Sequence, residues 1–138
     1  AALAPDDTRD VFARTVDFIL ESEIDAVQLS IATPFPGTRL FEEMSREGRL
    51  IHANFPADWE RYNGFEPVYR PRHMTPEELY EGLLWSYRAV SSVKSSIVRG
   101  VKTFIRTRSL FSTGIAFFFN HDSYKTISRT AEVGLALR

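Results

Sequence analysis

The chain has 138 residues, 17 Lys/Arg against 18 Asp/Glu, and 43% hydrophobic content, the composition of an ordinary globular protein with one modest core. It contains no cysteine, which excludes disulfides, thiolate nucleophiles, zinc–thiolate sites and Cys-ligated iron–sulfur clusters held by its own side chains. No apolar run approaches the roughly 18 residues of a membrane span, and Ala1-Ala2-Leu3-Ala4-Pro5 is too short for a signal peptide and reads as an arbitrary start, so the cytoplasm is the expected compartment.

Asp6 and Asp7 precede an amphipathic pattern over 8–22, with Phe12, Val16, Ile19 and Leu20 on one face, which predicts a helix. Both aspartates suit its N-terminus. Residues 26–32, Ala-Val-Gln-Leu-Ser-Ile-Ala, are short, uncharged and partly β-branched, the pattern of a buried strand. No other segment reads convincingly as one. A lone parallel strand cannot cover itself, so its neighbours are expected outside this chain.

Thr33-Pro34-Phe35-Pro36-Gly37-Thr38 follows. Its prolines hold the backbone extended, Gly37 permits a turn, and Thr38 can cap the next helix. That helix is expected over 38–47, stopped by Gly48. Residues 49–74 hold Phe55, Trp59, Tyr62, Phe65 and Tyr69 with three prolines, an irregular connection of unusual length. A short helical turn is expected near 57–62 and an extended piece near 66–69. Thr75-Pro76-Glu77-Glu78 is a capping-box helix start, and Leu79, Leu83, Tyr87 and Val90 form its inner stripe. Beyond it lie a basic amphipathic pattern over 94–108, a break near Arg108, an apolar stretch Leu110–Asn120 and a weaker helical pattern over 123–137.

Charge divides the chain. Residues 1–87 carry 16 acidic and 8 basic side chains, a net of −8, whereas residues 88–138 carry 2 and 9, a net of +7. Either the halves attract one another or the basic half meets a surface. The basic amphipathic region 93–120 fits an anionic membrane surface or a tail packed on protein. Nucleic acid is disfavoured, because the aromatics are clustered rather than interleaved with the bases and no recognised module is present. His52, His73 and His121 lack metal-ligand spacing. No nucleophile elbow or Gly-rich phosphate loop occurs, and no catalytic residue is identified.

Several segments recur in an order that carries a resemblance. They are Asp6-Asp7-Thr8 with Phe12 and Phe18, the strand ending in Thr33-Pro34-Phe35-Pro36-Gly37-Thr38, and Leu40-Phe41. Glu47-Gly48-Arg49-Leu50 follows, then Trp59, Tyr62, and Met74-Thr75-Pro76-Glu77-Glu78-Leu79 with Gly82 and Tyr87. None is specific alone. In this order the segment 26–87 resembles the C-terminal part of radical SAM enzymes, especially those with a cobalamin-binding N-terminal domain.

The resemblance implies an α/β fold: residues 1–48 as the helix–strand–helix end of a partial (β/α) barrel, 49–74 as an aromatic-rich connection, and 75–138 as a helical C-terminal extension. It implies that Ser30, Ile31, Ala32, Thr33 and Pro34 line one wall of the S-adenosylmethionine site. Pro36, Gly37 and Thr38 would shape the loop, and Trp59 and Tyr62 become substrate-side candidates. In the complete enzyme S-adenosylmethionine, an iron–sulfur cluster and cobalamin are implied. This chain lacks the cluster cysteines, so none of these is expected to bind to it alone. Its expected partners are the missing N-terminal barrel and cobalamin domain. The alternative function is a non-catalytic helical interaction module acting through 93–120, peripheral to membranes.

Overall fold

The computed structural model describes residues 2–22, 24, 27–91 and 108. In chain order the described elements are β1 (Ala2–Leu3), α1 (Asp10–Glu21), β2 (Ser30–Ile31), α2 (Arg39–Arg46), a 3-10 turn (Trp59–Arg61) and α3 (Pro76–Val90). Ala1–Val11 with Leu29–Leu83 form one compact unit, and Phe12–Gln28 with Leu84–Arg138 form a second. The helical patterns over 94–108 and 123–137 and the apolar stretch 110–120 lie outside the described residues, apart from Arg108, whose φ is +50°.

In the first unit β1 and β2 are parallel, with Ala2 opposite Ser30 and Leu3 opposite Ile31. This corrects the expectation of a solitary strand. The segment read as an arbitrary start supplies a strand, and α1 is the crossover that a parallel pair requires. Two residues show no periodicity, so only the partner reveals β1. The ladder in β2 covers Ser30 and Ile31 rather than the whole of 26–32. Leu3, Leu29 and Ile31 are buried. Among the described residues the chain is helix-rich with little sheet, and no barrel is formed.

α2 begins at Thr38, whose hydroxyl accepts the Phe41 amide at 3.3 Å. At its other end Gly48 turns the chain with φ +64°. The Gly48 amide then donates to Ser45 O at 3.1 Å and the Arg49 amide to Met44 O at 2.9 Å, which is the Schellman stop. The connection after it is more ordered than its prolines suggest. Leu50 and Tyr69 form an antiparallel bridge. Ile51 N donates to Val68 O at 2.9 Å and Arg70 N to Arg49 O at 2.8 Å. Val68 and Tyr69 are completely buried. The pairing explains how a long loop survives inside a compact unit: its ends are zipped together and its middle folds back.

α3 opens with a reciprocal capping box. Glu78 N donates to Thr75 Oγ1 at 3.2 Å, and Thr75 N donates to Glu78 Oε2 at 2.8 Å. Two orphan helix donors are thereby satisfied, a gain of about 1 kcal/mol. Arg9 also reaches the Glu78 carboxylate. Leu79 and Leu83 are fully buried, each burial contributing about 2 kcal/mol.

In the second unit α1 buries Phe12, Val16 and Ile19, as its spacing predicts. Leu20, placed on the same face, is instead exposed, and so is Phe18. The end of α3 buries Ser86, Tyr87 and Val90. Among the described residues no helix is long and apolar enough to cross a membrane.

Candidate functional site

Parallel strands end on the same side, so β1 and β2 present their C-terminal exits together. Ala32 N donates to Leu3 O at 2.9 Å, one residue past the β2 ladder. The exit of β1, Ala4-Pro5-Asp6-Asp7, therefore lies beside Thr33-Pro34. Such strand ends are where α/β proteins hold ligands. Ala4 N donates to Asp7 Oδ2 at 2.6 Å and Asp7 N returns to Ala4 O at 3.2 Å, which fixes a tight turn. Asp6 pairs with Arg72 at 3.0 Å. The two aspartates expected to cap α1 thus shape the β1 exit and pair with the loops.

Alternate amides of an extended strand point in opposite directions. Ile31 N accordingly points away from β1 and donates to Gly64 O at 2.7 Å. Gly64 has φ +83°. It brings the connection against the far edge of β2, which the sequence left uncovered. A Cβ at Gly64 would meet Ser30 Cβ at 3.7 Å, an ordinary contact. The backbone conformation, rather than crowding, is what favours glycine there.

The candidate wall residues are arranged as follows. Ile31 and Pro34 are buried, and Ser30, Ala32 and Thr33 are half-buried. Thr33 Oγ1 donates back to Ile31 O at 3.1 Å, so its hydroxyl is tied to the strand. Phe35 N donates to Thr33 O at 3.0 Å, and Thr38 N to Phe35 O at 3.1 Å. With Pro36 second and Gly37 third at φ +84°, residues 35–38 have the signature of a type II turn. Thr38 donates its own hydroxyl to Phe35 O at 2.6 Å. One short turn thus joins the strand exit to the N-terminus of α2, leaving Pro36, Gly37 and Thr38 exposed.

Five rings gather beside this turn. Phe35 meets Tyr62 at 6.1 Å, and Phe41 meets Phe55 at 6.1 Å. Phe55 packs on Trp59 at 5.4 Å and on Tyr62 at 5.2 Å. Trp59 and Tyr62 are stacked at 6.1 Å with 20° between their planes. The two substrate-side candidates behave differently: Tyr62 is 5% exposed, whereas Trp59 is 54% exposed. Tyr62 is a packing residue whose hydroxyl donates to His52 O at 2.5 Å. Its burial, and then the Asp58 carboxylate, push the phenol above its ordinary pKa, so it stays neutral. Sequence reasoning identified both residues but did not pair them with Phe35 and Phe41, because their meeting depends on the fold of the loop.

Behind the β1 exit sit Arg49, Arg72, Asp6 and Glu47. Arg49 Nη1 lies 3.1 Å from Glu47 and 3.7 Å from Asp6, and Arg72 Nη2 lies 2.8 Å from Glu47. The Arg49 hydrogen bond leads the causes that hold the Glu47 carboxyl below the ordinary carboxylate range; desolvation opposes it, and the charges of Arg72 and Arg49 outweigh that opposition together with it. Arg49 was noted in the sequence only as part of Glu47-Gly48-Arg49-Leu50; nothing in that pattern marks it as a hub. Among the described residues no group of three or more His, Asp or Glu could hold a metal ion. His52 and Asp58 approach only to 3.9 Å.

No family model matches the chain, and no solved structure matches it. Curated relatives do. An uncharacterized methyltransferase of Pyrococcus horikoshii is 36% identical over 83 residues, 60% of this chain and 17% of that protein. The bacteriochlorophyllide d C-12(1)-methyltransferase of Chlorobaculum tepidum is 35% identical over 85 residues, 62% of this chain and 17% of that protein. The anaerobic magnesium-protoporphyrin IX monomethyl ester cyclase of Cereibacter sphaeroides is 27% identical over 82 residues, 59% of this chain and 12% of that protein. The matched stretch is less than a fifth of each relative's length, and over that stretch this chain is similar to methyltransferases and a cyclase.

Proposed function

We propose that this chain is a segment of a radical SAM enzyme of the cobalamin-binding type, contributing one wall of the S-adenosylmethionine site. The observation that carries it is the register of Leu3 opposite Ile31, which sets two strand exits side by side. The ordered resemblance over 26–87 and the methyltransferase names of the relatives support it.

Ser30, Ile31, Ala32, Thr33 and Pro34 would hold the adenosine. The edge suits it, since half-buried Ser30, Ala32 and Thr33 keep surface beside extended backbone, with buried Ile31 and Pro34 packed between them. The cofactor, when bound, supplies radical hydrogen-abstraction chemistry. This chain's part is to bind and orient it: the turn at 35–38 fixes the exit of β2, and the Ala4–Asp7 turn fixes that of β1. A cysteine-ligated cluster finds no ligand here, because the chain has no cysteine, so no step through it is assigned to these residues. The cluster and the cobalamin belong to the barrel and N-terminal domain with which the segment would pair, and residues 75–138 would be a helical lid or tail.

Photolabelling with 8-azido-S-adenosylmethionine of the complete enzyme, in which the segment meets its barrel, tests this. The expected adducts fall within 30–34 and disappear with excess S-adenosylmethionine. Label confined to other peptides, or label that excess ligand does not displace, would sink the proposal.

A further inference from the structure

We propose that Arg49 is a positioning residue for the candidate site: through the carbonyl of Pro5 it holds the exit of β1 beside Thr33. The ligand consequence rests on the functional reading above, whereas the clasp stands on geometry alone.

Arg49 is fixed at both backbone groups. Its amide donates to Met44 O at 2.9 Å, and its carbonyl accepts Arg70 N at 2.8 Å. Its side chain is only 12% exposed, so its donors are spent on protein. Nε donates to Arg70 O at 2.7 Å, Nη1 to Glu47 Oε2 at 3.1 Å and Nη2 to Pro5 O at 3.3 Å. One guanidinium thus joins three segments: the end of α2, the strand-like stretch at 70, and the β1 exit. Arg72 reinforces it, its amide donating to the same Pro5 O at 3.1 Å. Arg72 Nε pairs with Asp6 at 3.0 Å and Nη2 with Glu47 at 2.8 Å.

The Pro5 carbonyl therefore accepts two donors, one from each end of the same connection. Two residues earlier, Leu3 gives its carbonyl to Ala32. A displacement of Pro5 must be felt at Leu3, and through Leu3 at the residue that opens the 32–34 edge. Ion pairs to solvent-accessible carboxylates such as Asp6 and Glu47 contribute little to overall stability. Their geometry is what counts: the planar fork meets a carbonyl, a second carbonyl and a carboxylate at once, which the single ammonium of lysine cannot do.

Amide hydrogen exchange on the full 138-residue chain separates positioning from general stability. The Ala32 amide reports the clasp. The Leu79 amide, which donates to Thr75 O at 3.0 Å, reports the same unit away from it. In Arg49→Lys, exchange at Ala32 is expected to rise about tenfold while Leu79 stays within about twofold. In Arg49→Ala the rise is larger, and added ethylguanidinium reverses part of it. Unchanged exchange at Ala32 in Arg49→Lys overturns the proposal, and so does an equal rise at Ala32 and Leu79. If Arg49→Ala loses protection everywhere, the lysine variant decides.

S-adenosylhomocysteine titration of the same proteins distinguishes the two readings. Binding by the parent chain that weakens in Arg49→Lys supports both. Binding that does not weaken overturns the positioning role and leaves the site reading standing. No binding by the parent chain is what the site reading expects of the segment without its barrel, and exchange alone then decides the clasp.

Discussion

The amide of Ile31 donates to the carbonyl of Gly64 at 2.7 Å, so β2 is engaged on the edge opposite β1 by a residue 33 positions later. A strand that looked bare in the sequence is held by a loop on one side and by Leu3 on the other.

Gly64 adopts φ +83°, which an L-residue occupies at a cost of about 1–2 kcal/mol. Gly64→Ala is expected to destabilise the chain by that amount in urea unfolding and to speed exchange of the Ile31 amide. Gly37→Ala, at φ +84° with nothing within 4 Å of the added carbon, should cost about as much yet leave the Ile31 amide alone. Equal effects on Ile31 would show that the Gly64 contact does not hold the strand.

Two tyrosines test hydrogen-bond satisfaction in opposite directions. Tyr62 donates to His52 O at 2.5 Å, and Tyr62→Phe should cost about 1 kcal/mol. Tyr69 is fully buried, and its hydroxyl has no hydrogen-bond partner among the described residues. Tyr69→Phe should be neutral or stabilising in the same unfolding assay. A loss at Tyr69 as large as that at Tyr62 would mean that its hydroxyl is satisfied.

Thr75 and Glu78 cap α3 reciprocally. Thr75→Ala is expected to cost about 1 kcal/mol, and Glu78→Ala after it should cost less than it does alone. Additive losses in the double-mutant cycle would show that the two caps act independently. Leu83→Ala, at a fully buried position of the same helix, should cost about 2–5 kcal/mol by leaving a cavity.

The Glu47 carboxyl is held below the ordinary carboxylate range, first by its hydrogen bond from Arg49. A folded-state pKa below the unfolded one means the folded state favours the ionised form. The contribution is present above the unfolded pKa and is lost as pH falls through the folded value. Acidification should therefore loosen the clasp, and Glu47→Gln should flatten the acid limb of a stability–pH curve. Because the group is exposed, the effect should shrink with added salt. An acid limb unchanged in Glu47→Gln would remove Glu47 from the clasp.

Much of the framework was legible in the residues. The Thr75 and Thr38 caps, the Gly48 stop and the α1 stripe of Phe12, Val16 and Ile19 depend on neighbours within one turn, and sequence carries such information directly. Residues 30–34 were placed at a strand end for the same local reason, whereas a cofactor role for them came from the resemblance alone. What stayed hidden depends on distant partners. Ala2–Leu3 is a strand only because Ser30–Ile31 lies beside it. Leu50 and Tyr69 pair across a loop whose prolines pointed to irregularity. Asp6 and Asp7 looked like helix caps, but Arg72 competes for one and the Ala4 amide for the other. The gathering of Phe35, Phe41, Phe55, Trp59 and Tyr62 needed the turn at 35–38 and the fold-back of the connection together.

The parallel pairing of Leu3 with Ile31 has a genetic corollary. A damaging change at Thr33 or Pro34 has few remedies among its immediate neighbours, which are locked in the proline-containing turn. Compensating substitutions should instead arise elsewhere in the same chain, at 4–7 or 70–72, where the adjoining exit is adjusted. A suppressor screen on an edge mutant would thus recover second-site revertants far away in the reading frame and close in space.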